Sequence, residues 1–233
     1  MLVSGRNNVK EILRNFGEVS GVRMAYCQEN FNENDILTLL KKKNVPIFYK
    51  KKQELDHLAN NNHQGVVLDV RDFEYTSLDE IILNKEKCFV IILDHIEDPH
   101  NLGAIIRTVE ASGADGIILP INRSVSVNET VMKTSVGALY NVKIASVTNL
   151  HNTIKKLKKE GFWIIGTDLD GEDYTKIKYP NKTALVIGSE GFGMTRIVKE
   201  SCDFIATIPM HGKVNSLNAS VATGIMIYEV LKR

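Results

Sequence analysis

Over residues 1–70 the apolar positions change spacing from one short segment to the next. Helical spacing predicts helices over Asn7–Asn15 and over Asn34–Lys43, where Ile36, Leu39 and Leu40 share a side. Strands are predicted at Val22–Tyr26, Val45–Tyr49 and Gly65–Val70, with the polar stretch Asn60–Gln64 before the last. Alternation of this kind implies a small α/β domain. Residues 71–87 are rich in charge, contain one short amphipathic piece at Leu78–Leu83, and read as a linker.

From Cys88 the pattern becomes regular. Strands are predicted at Cys88–Asp94, Gly116–Pro120, Lys143–Val147, Phe162–Asp168, Ala184–Gly188 and Phe204–Ile208. These runs are continuously apolar, as strands covered on both faces require. Helices are predicted near Leu102–Ser112, Asn128–Leu139, Asn149–Lys159 and Gly193–Ser201. A last helix, Ser216–Leu231, carries Leu217, Val221, Ile225, Tyr228 and Leu231 on one side. The expectation is a second α/β domain, residues 88–233, built on a parallel sheet of about six strands.

Composition narrows the function classes. Hydrophobic residues are 43% and charged residues 24% of 233, ordinary for a soluble protein. The longest apolar run, Cys88–Leu93, is far short of the ~20 residues that span a membrane. The start, Met1–Asn8, lacks the apolar core of a signal peptide. Cys27, Cys88 and Cys202 are widely spaced with no Cys-x-x-Cys pair, which fits a reducing cytoplasm and argues against a disulfide frame or structural zinc. Lys plus Arg is 29 against 28 Asp plus Glu, so no global field attracts nucleic acid. Lys41–Lys43 and Lys50–Lys52 flank Val45–Tyr49 and could form one basic patch; Lys155, Lys156, Lys158 and Lys159 read as a solvated helix face.

Three segments at strand ends concentrate polar and glycine residues, where open α/β sheets bind ligands. The first runs from Leu93 to Thr108 and contains Asp98-Pro99, a well-made helix start, with Asn101 in the first turn and Arg107 outside the apolar stripe. A good helix N-terminus explains Asp98 and Pro99 but not the rest. The second, Leu185–Gly193, has glycines at 188, 191 and 193 around Glu190. Its spacing is not that of the dinucleotide fingerprint, and Gly212-Lys213 is followed by Val214, so no nucleotide-triphosphate loop is present. Glu190 alone could be an ordinary polar turn residue. The third, Ile208–Ser220, supplies Asn215, Ser216, Asn218 and Ser220. Asn215 or Ser216 would serve as an N-cap, and the excess of polar side chains suggests a site at the helix mouth.

Together and in this order, the three segments closely resemble the signature motifs of the SpoU family, within the SPOUT superfamily of methyltransferases. The resemblance covers Leu93–Tyr228. It implies transfer of a methyl group from S-adenosyl-L-methionine to a ribose 2′-hydroxyl of RNA, a deep trefoil knot in the C-terminal sheet, and a homodimer. It is greatest to the branch acting on a guanosine of 23S ribosomal RNA, whose leading domain has the fold of ribosomal protein L30e; residues 1–70 are then the RNA-binding domain. The tRNA-directed branch carries helical extensions that this sequence lacks. Other ribosomal or transfer RNA nucleotides, or a catalytically silent RNA-binding relative, are the alternatives.

The resemblance also assigns residues. Asn101, Arg107, Glu190, Ser216 and Asn218 match the catalytic positions, and Gly188, Ile208 and Leu217 the main methyl-donor contacts, with Thr167, Asp168 and Met210 as neighbours. A guanidinium is a poor base at neutral pH, so Arg107 is read as a phosphate and ribose clamp, and Glu190 as holding Asn101 or Ser216. No metal is implied; nothing in the spacing of His95, His100 and His211 is diagnostic of one.

Overall fold

A computed structural model describes residues 1–15, 21–59 and 62–232, with the side chain of Asn15 left aside. Part of the polar stretch before the strand at Val66, namely Asn60 and Asn61, therefore lies outside the described residues. The chain divides into two compact units, Met1–Glu74 with Val127–Tyr140, and Tyr75–Ser126 with Asn141–Arg233.

The first unit holds a four-stranded mixed sheet of β1 (Leu2–Ser4), β2 (Val22–Gln28), β3 (Ile47–Lys50) and β4 (Val66–Val70), in the order β1-β4-β2-β3. Helices α1 (Arg6–Asn15), α2 (Asn34–Lys42) and α3 (Lys52–Leu58) accompany it. Val3, Val9, Ile12, Leu13, Ala25, Ile36, Leu40, Leu55 and Val66–Leu68 make its core. β1 and α3 have no counterpart in the sequence reading. β1 is three residues long, and in α3 only Leu55 is buried, so neither leaves a readable period.

The expected boundary at residue 88 needs revision at both ends. Ile81 and Ile82 of α4 (Leu78–Ile82) are fully buried in the core of the second unit; their segment is an integral helix rather than a linker. Conversely, α6 (Glu129–Ser135), expected among the helices of the parallel sheet, clusters with the first unit and packs on β1. Tyr140, at the end of that insertion, donates its hydroxyl to the Arg71 carbonyl at 2.8 Å and meets Phe73 edge-on.

The second unit is a six-stranded parallel sheet, ordered β10-β8-β9-β5-β6-β7. Its strands are β5 (Cys88–Asp94), β6 (Gly116–Pro120), β7 (Ile144–Val147), β8 (Trp163–Asp173), β9 (Lys182–Gly188) and β10 (Phe204–Thr207). Central β5 is buried at all seven positions, the reason its sequence does not alternate. Helices α5 (Pro99–Ser112), α7 (Leu150–Lys159), α8 (Arg196–Glu200) and α9 (Ala219–Val230) complete the unit. α5 starts on Asp98, whose side chain accepts from the His100 N–H at 2.9 Å, and stops on Gly113 in the left-handed region at φ 71°.

Two expectations for α9 are corrected. The helix begins at Ala219 with Asn218 as its N-cap, not Asn215 or Ser216. Its buried residues are Ala219, Thr223, Met226, Ile227 and Val230, whereas Val221, Tyr228 and Leu231 of the expected stripe are exposed. The helix is apolar nearly all round, so period alone could not select its inner face.

Candidate active site

The site forms where β5 and β9 end side by side, with Asp94 paired opposite Gly188. Beyond β9 the chain makes a tight loop. Ser189 and Gly193 exchange two backbone hydrogen bonds, of 3.0 and 2.9 Å, leaving Glu190-Gly191-Phe192 as a three-residue tip. Gly193 is left-handed, at φ 65°. A Cβ on Gly188 would lie 2.2 Å from the Gly193 carbonyl carbon and 2.4 Å from the Met194 nitrogen. Glycine at 188 is thus demanded by the loop's own return.

Glu190 pins this tip to two helix N-termini. Its Oε1 accepts from Asn101 Nδ2 at 2.7 Å, from Asn218 Nδ2 at 2.6 Å and from the Ala219 N–H at 3.3 Å. Asn218 Nδ2 also donates to Asn101 Oδ1 at 2.9 Å, closing a triangle. With its own Oδ1, Asn218 caps α9 by accepting from the N–H groups of Ser220 and Val221 and from the Ser220 hydroxyl. Asn101 is 6% exposed. The three hydrogen bonds to Oε1 fix Glu190 at the start of α9.

A cavity of about 320 Å³ opens on one side of the tip. Thr167, Asp168, Gly188, Ile208, Met210 and Leu217 all border it, as do Ser216 and Ala222. Thr167 spends its hydroxyl on the Val186 carbonyl at 2.9 Å. Burial raises the pKa of Asp168, but its ion pair with Lys199 at 2.7 Å and the Leu169 N–H outweigh this and hold the carboxyl below its ordinary range. Ser216 borders the cavity without a hydrogen bond to any described residue, so Glu190 holds Asn101 and Asn218 rather than Ser216. Volume, apolar walls and a few placed polar groups match a small-molecule site.

A second cavity, about 640 Å³, lies against the other side of the same tip. His95–Asp98, Asn101 and Arg123 border it together with the loop Ser189–Thr195. Phe192, 96% exposed, borders both cavities. Sequence reasoning gave neither His95, inside the first motif, nor Arg123, in no motif, a place in the site; both have left-handed backbones, at φ 62° and 52°.

Arg107 is not brought into the cluster. It projects from α5 into solvent, borders neither cavity and makes no hydrogen bond or ion pair among the described residues. No cysteine is primed as a nucleophile: burial pushes the Cys27 thiol up to about 11, and those of Cys88 and Cys202 to about 12. Among the described residues no group of three or more His, Cys, Asp and Glu could hold a metal ion, and no helix is long and apolar enough to cross a membrane.

Two family models match the chain. The SpoU rRNA methylase family covers residues 88–228, and an RNA 2′-O ribose methyltransferase substrate-binding domain covers residues 2–76. A Bacillus subtilis (strain 168) protein assigned to the TrmH family of tRNA/rRNA methyltransferases is 43% identical over 99% of this chain and 95% of its own length. A counterpart in Staphylococcus haemolyticus is 44% identical over 100% and 96%. Among solved structures, the SpoU methyltransferase AviRb from Streptomyces viridochromogenes, in complex with AdoMet, aligns with a TM-score of 0.83 at 24% identity, covering 100% of this chain and 89% of that one. An AdoMet-bound rRNA methyltransferase from Sinorhizobium meliloti gives 0.77 at 24% identity over 99% and 86%. Both share the fold.

Proposed function

Since the chain belongs to the SpoU rRNA methylase family, an RNA 2′-O-ribose methyltransferase family, we propose that it transfers a methyl group from S-adenosyl-L-methionine to the 2′-hydroxyl of a guanosine in 23S ribosomal RNA. The carrying observation is the triangle Asn101–Glu190–Asn218, whose Glu190 borders the 320 Å³ cavity. It joins three widely separated segments at one point where polar groups are held rigid.

S-adenosyl-L-methionine supplies, when bound, an electrophilic methyl on a sulfonium. The cavity fits it: Ile208, Met210 and Leu217 offer an apolar wall for an adenine, while the turn at Gly188 leaves backbone groups beside them. Neutral amides can read an adenine edge without over-stabilising the bound ground state. Thr167 and Asp168 complete that wall, and Lys199 keeps Asp168 anionic. On the RNA side Asn101 and Asn218 orient the ribose hydroxyl for in-line attack, with Glu190 fixing both and Ser216 free to donate to either reactant.

Arg107, in solvent on its own subunit, clamps a phosphate or stabilises oxyanion charge after RNA or a second subunit arrives. A homodimer is supported by the exposed Val221, Tyr228 and Leu231 on α9, an apolar face without a cover in the single chain. The trefoil knot is supported by the shared cavity of the Gly188–Gly193 loop and the Ile208–Leu217 segment. Residues 1–70 bind the RNA. Phe48 and Tyr49 are half exposed on edge strand β3, and Lys50 lies 5.6 Å from the Tyr26 ring, beside Lys51 and Lys52, the cation and ring mixture that nucleic acid favours. The relatives named for both tRNA and rRNA keep another nucleotide as the alternative.

Calorimetry with S-adenosylhomocysteine tests the donor site, and methyl transfer to ribosomal RNA isolated from a deletion strain tests the substrate. No heat of binding, or labelling confined to transfer RNA, overturns the corresponding half.

A further inference from the structure

We propose that a polar cavity in the first unit, walled by Arg6, Phe31 and the carboxamides of Gln28, Asn30, Asn32 and Asn62, seats one unpaired nucleobase of the RNA. The inference rests on the reading that residues 1–70 bind RNA. It gives that binding a site that recognises a base rather than charge alone.

The cavity, about 340 Å³, opens where β2 ends and the turn before β4 begins, large enough for a small ligand group. That turn is fixed by its own bonds. His63 is buried; its Nδ1 accepts the Gly65 N–H at 2.9 Å, and its Nε2 lies 3.0 Å from Asp56 Oδ1. Gln64 and Gly65 are both left-handed, at φ 53° and 83°. A Cβ on Gly65 would meet the Phe31 ring at 3.0 Å, so glycine lets the ring lie close against the turn. The Arg6 guanidinium stands over that ring, 5.8 Å from its centre. It donates to the Gln64 carbonyl at 3.1 Å and to Glu33 at 2.6 Å. The Arg6 side chain is nevertheless half exposed, a flat group held in place and open to a stacking partner. Unpaired RNA bases stack on guanidinium planes in this way.

Hydrogen-bonding capacity around the cavity is unspent. Gln28, Asn30, Asn32 and Asn62 make no side-chain hydrogen bond among the described residues. Each carboxamide carries a carbonyl acceptor and an NH2 donor, the neutral combination that pairs with a base edge. A phosphate site would instead concentrate cations. Here Arg6 is matched by Glu33, and Lys52 adds one further cation to the wall. Lys52 follows Lys50 and Lys51, so a strand tracking those lysines runs past the cavity. Double-helical RNA presents no base that can leave its stack without cost, which restricts the occupant to an unpaired nucleotide. Asn62 belongs to the polar stretch before β4 that hydropathy marked out without giving it a role.

The test uses the full-length protein and 23S ribosomal RNA from a deletion strain. Ultraviolet cross-linking read by mass spectrometry is expected to join a single-stranded nucleotide to the peptide holding Phe31. The double variant Asn30→Ala, Asn32→Ala removes two exposed side chains that have no partner to lose. It is expected to keep Tm and S-adenosylhomocysteine affinity while binding RNA about 10-fold more weakly. Because no charge changes, its affinity should fall with salt as steeply as that of wild type, whereas Lys52→Met should reduce the slope by about one. A synthetic RNA fragment with the cross-linked nucleotide made abasic should bind wild type more weakly by a similar factor, with no further loss in the double variant. Wild-type affinity in the double variant, equal losses from the abasic fragment in both proteins, or cross-links confined to residues outside the cavity would overturn the proposal alone. A wild-type protein without affinity for the RNA would fail the underlying reading and the proposal with it.

Discussion

Asn218 does two jobs that separate substitutions can divide. Its Oδ1 caps α9, and its Nδ2 joins Asn101 to Glu190. Asn218→Ala removes both. The lost cap costs about 1 kcal/mol, and the lost donor to the exposed Glu190 about 1.5 kcal/mol, the lower end for a charged acceptor. The total of about 2.5 kcal/mol corresponds to a Tm lower by about 5–10 °C in a chain of this size. Asn218→Asp keeps the capping oxygen but sets a second carboxylate where an N–H group lay 2.6 Å from Glu190. At neutral pH the cap is retained and the triangle is broken by repulsion; in acid one proton shared between the carboxyls relieves it. Both variants should therefore be nearly inactive, while the Tm deficit of Asn218→Asp, unlike that of Asn218→Ala, shrinks as pH falls. Thermal melts across pH, with a cycle of Asn218→Ala against Glu190→Ala, read this out. A coupling energy near zero together with normal turnover in Asn218→Asp would refute the site as drawn.

Gly188→Val should lose S-adenosylhomocysteine binding and also lower Tm, because its Cβ meets the Gly193–Met194 backbone; lost binding at unchanged Tm would contradict that clash. Arg107→Ala should leave Tm unchanged, since the side chain has no partner among the described residues, yet lower transfer about 10²–10³-fold, with little rescue by Arg107→Lys; normal turnover in the lysine variant would reduce its role to charge. Asp168 has a lowered pKa in the folded protein, so its pairing with Lys199 stabilises above the ordinary carboxylate pKa and fades as pH falls through the lowered one. Lys199→Met should then melt below wild type at neutral pH, with the difference starting to shrink at about pH 4 and closing only below the lowered pKa; a constant difference would contradict the ion pair.

Legibility from sequence followed burial. β5, β6 and β9 are covered on both faces and spell continuous apolar runs, so the parallel sheet was readable from Cys88 onward. β1 and α3 were not, being too short or too polar to carry a period. Nor was the allegiance of α6, whose partner β1 lies more than a hundred residues away. That crossing of the chain also bears on truncation: removing residues 1–71 would take β1 from α6, so RNA binding by the first unit is better tested with Lys50, Lys51 and Lys52 substituted in the full chain. At the site, the motifs identified which residues to examine. They could not foretell that Asn101 meets Glu190 across 89 positions and Asn218 across 117, or that Arg107 stands apart. Those facts depend on how β5, β9 and α9 converge. His95 and Asp94 lay inside the first motif, yet a buried carboxylate next to a left-handed histidine leaves no mark on hydropathy.

The most direct measurement maps 2′-O-methyl groups in 23S ribosomal RNA by resistance of the neighbouring phosphodiester to alkali, in cells with the gene intact, deleted, and complemented by wild type or Asn218→Asp. The account predicts that one guanosine loses its mark on deletion, regains it with the wild-type gene, and stays unmarked with the variant. An unchanged set of ribosomal and transfer RNA marks after deletion would contradict it.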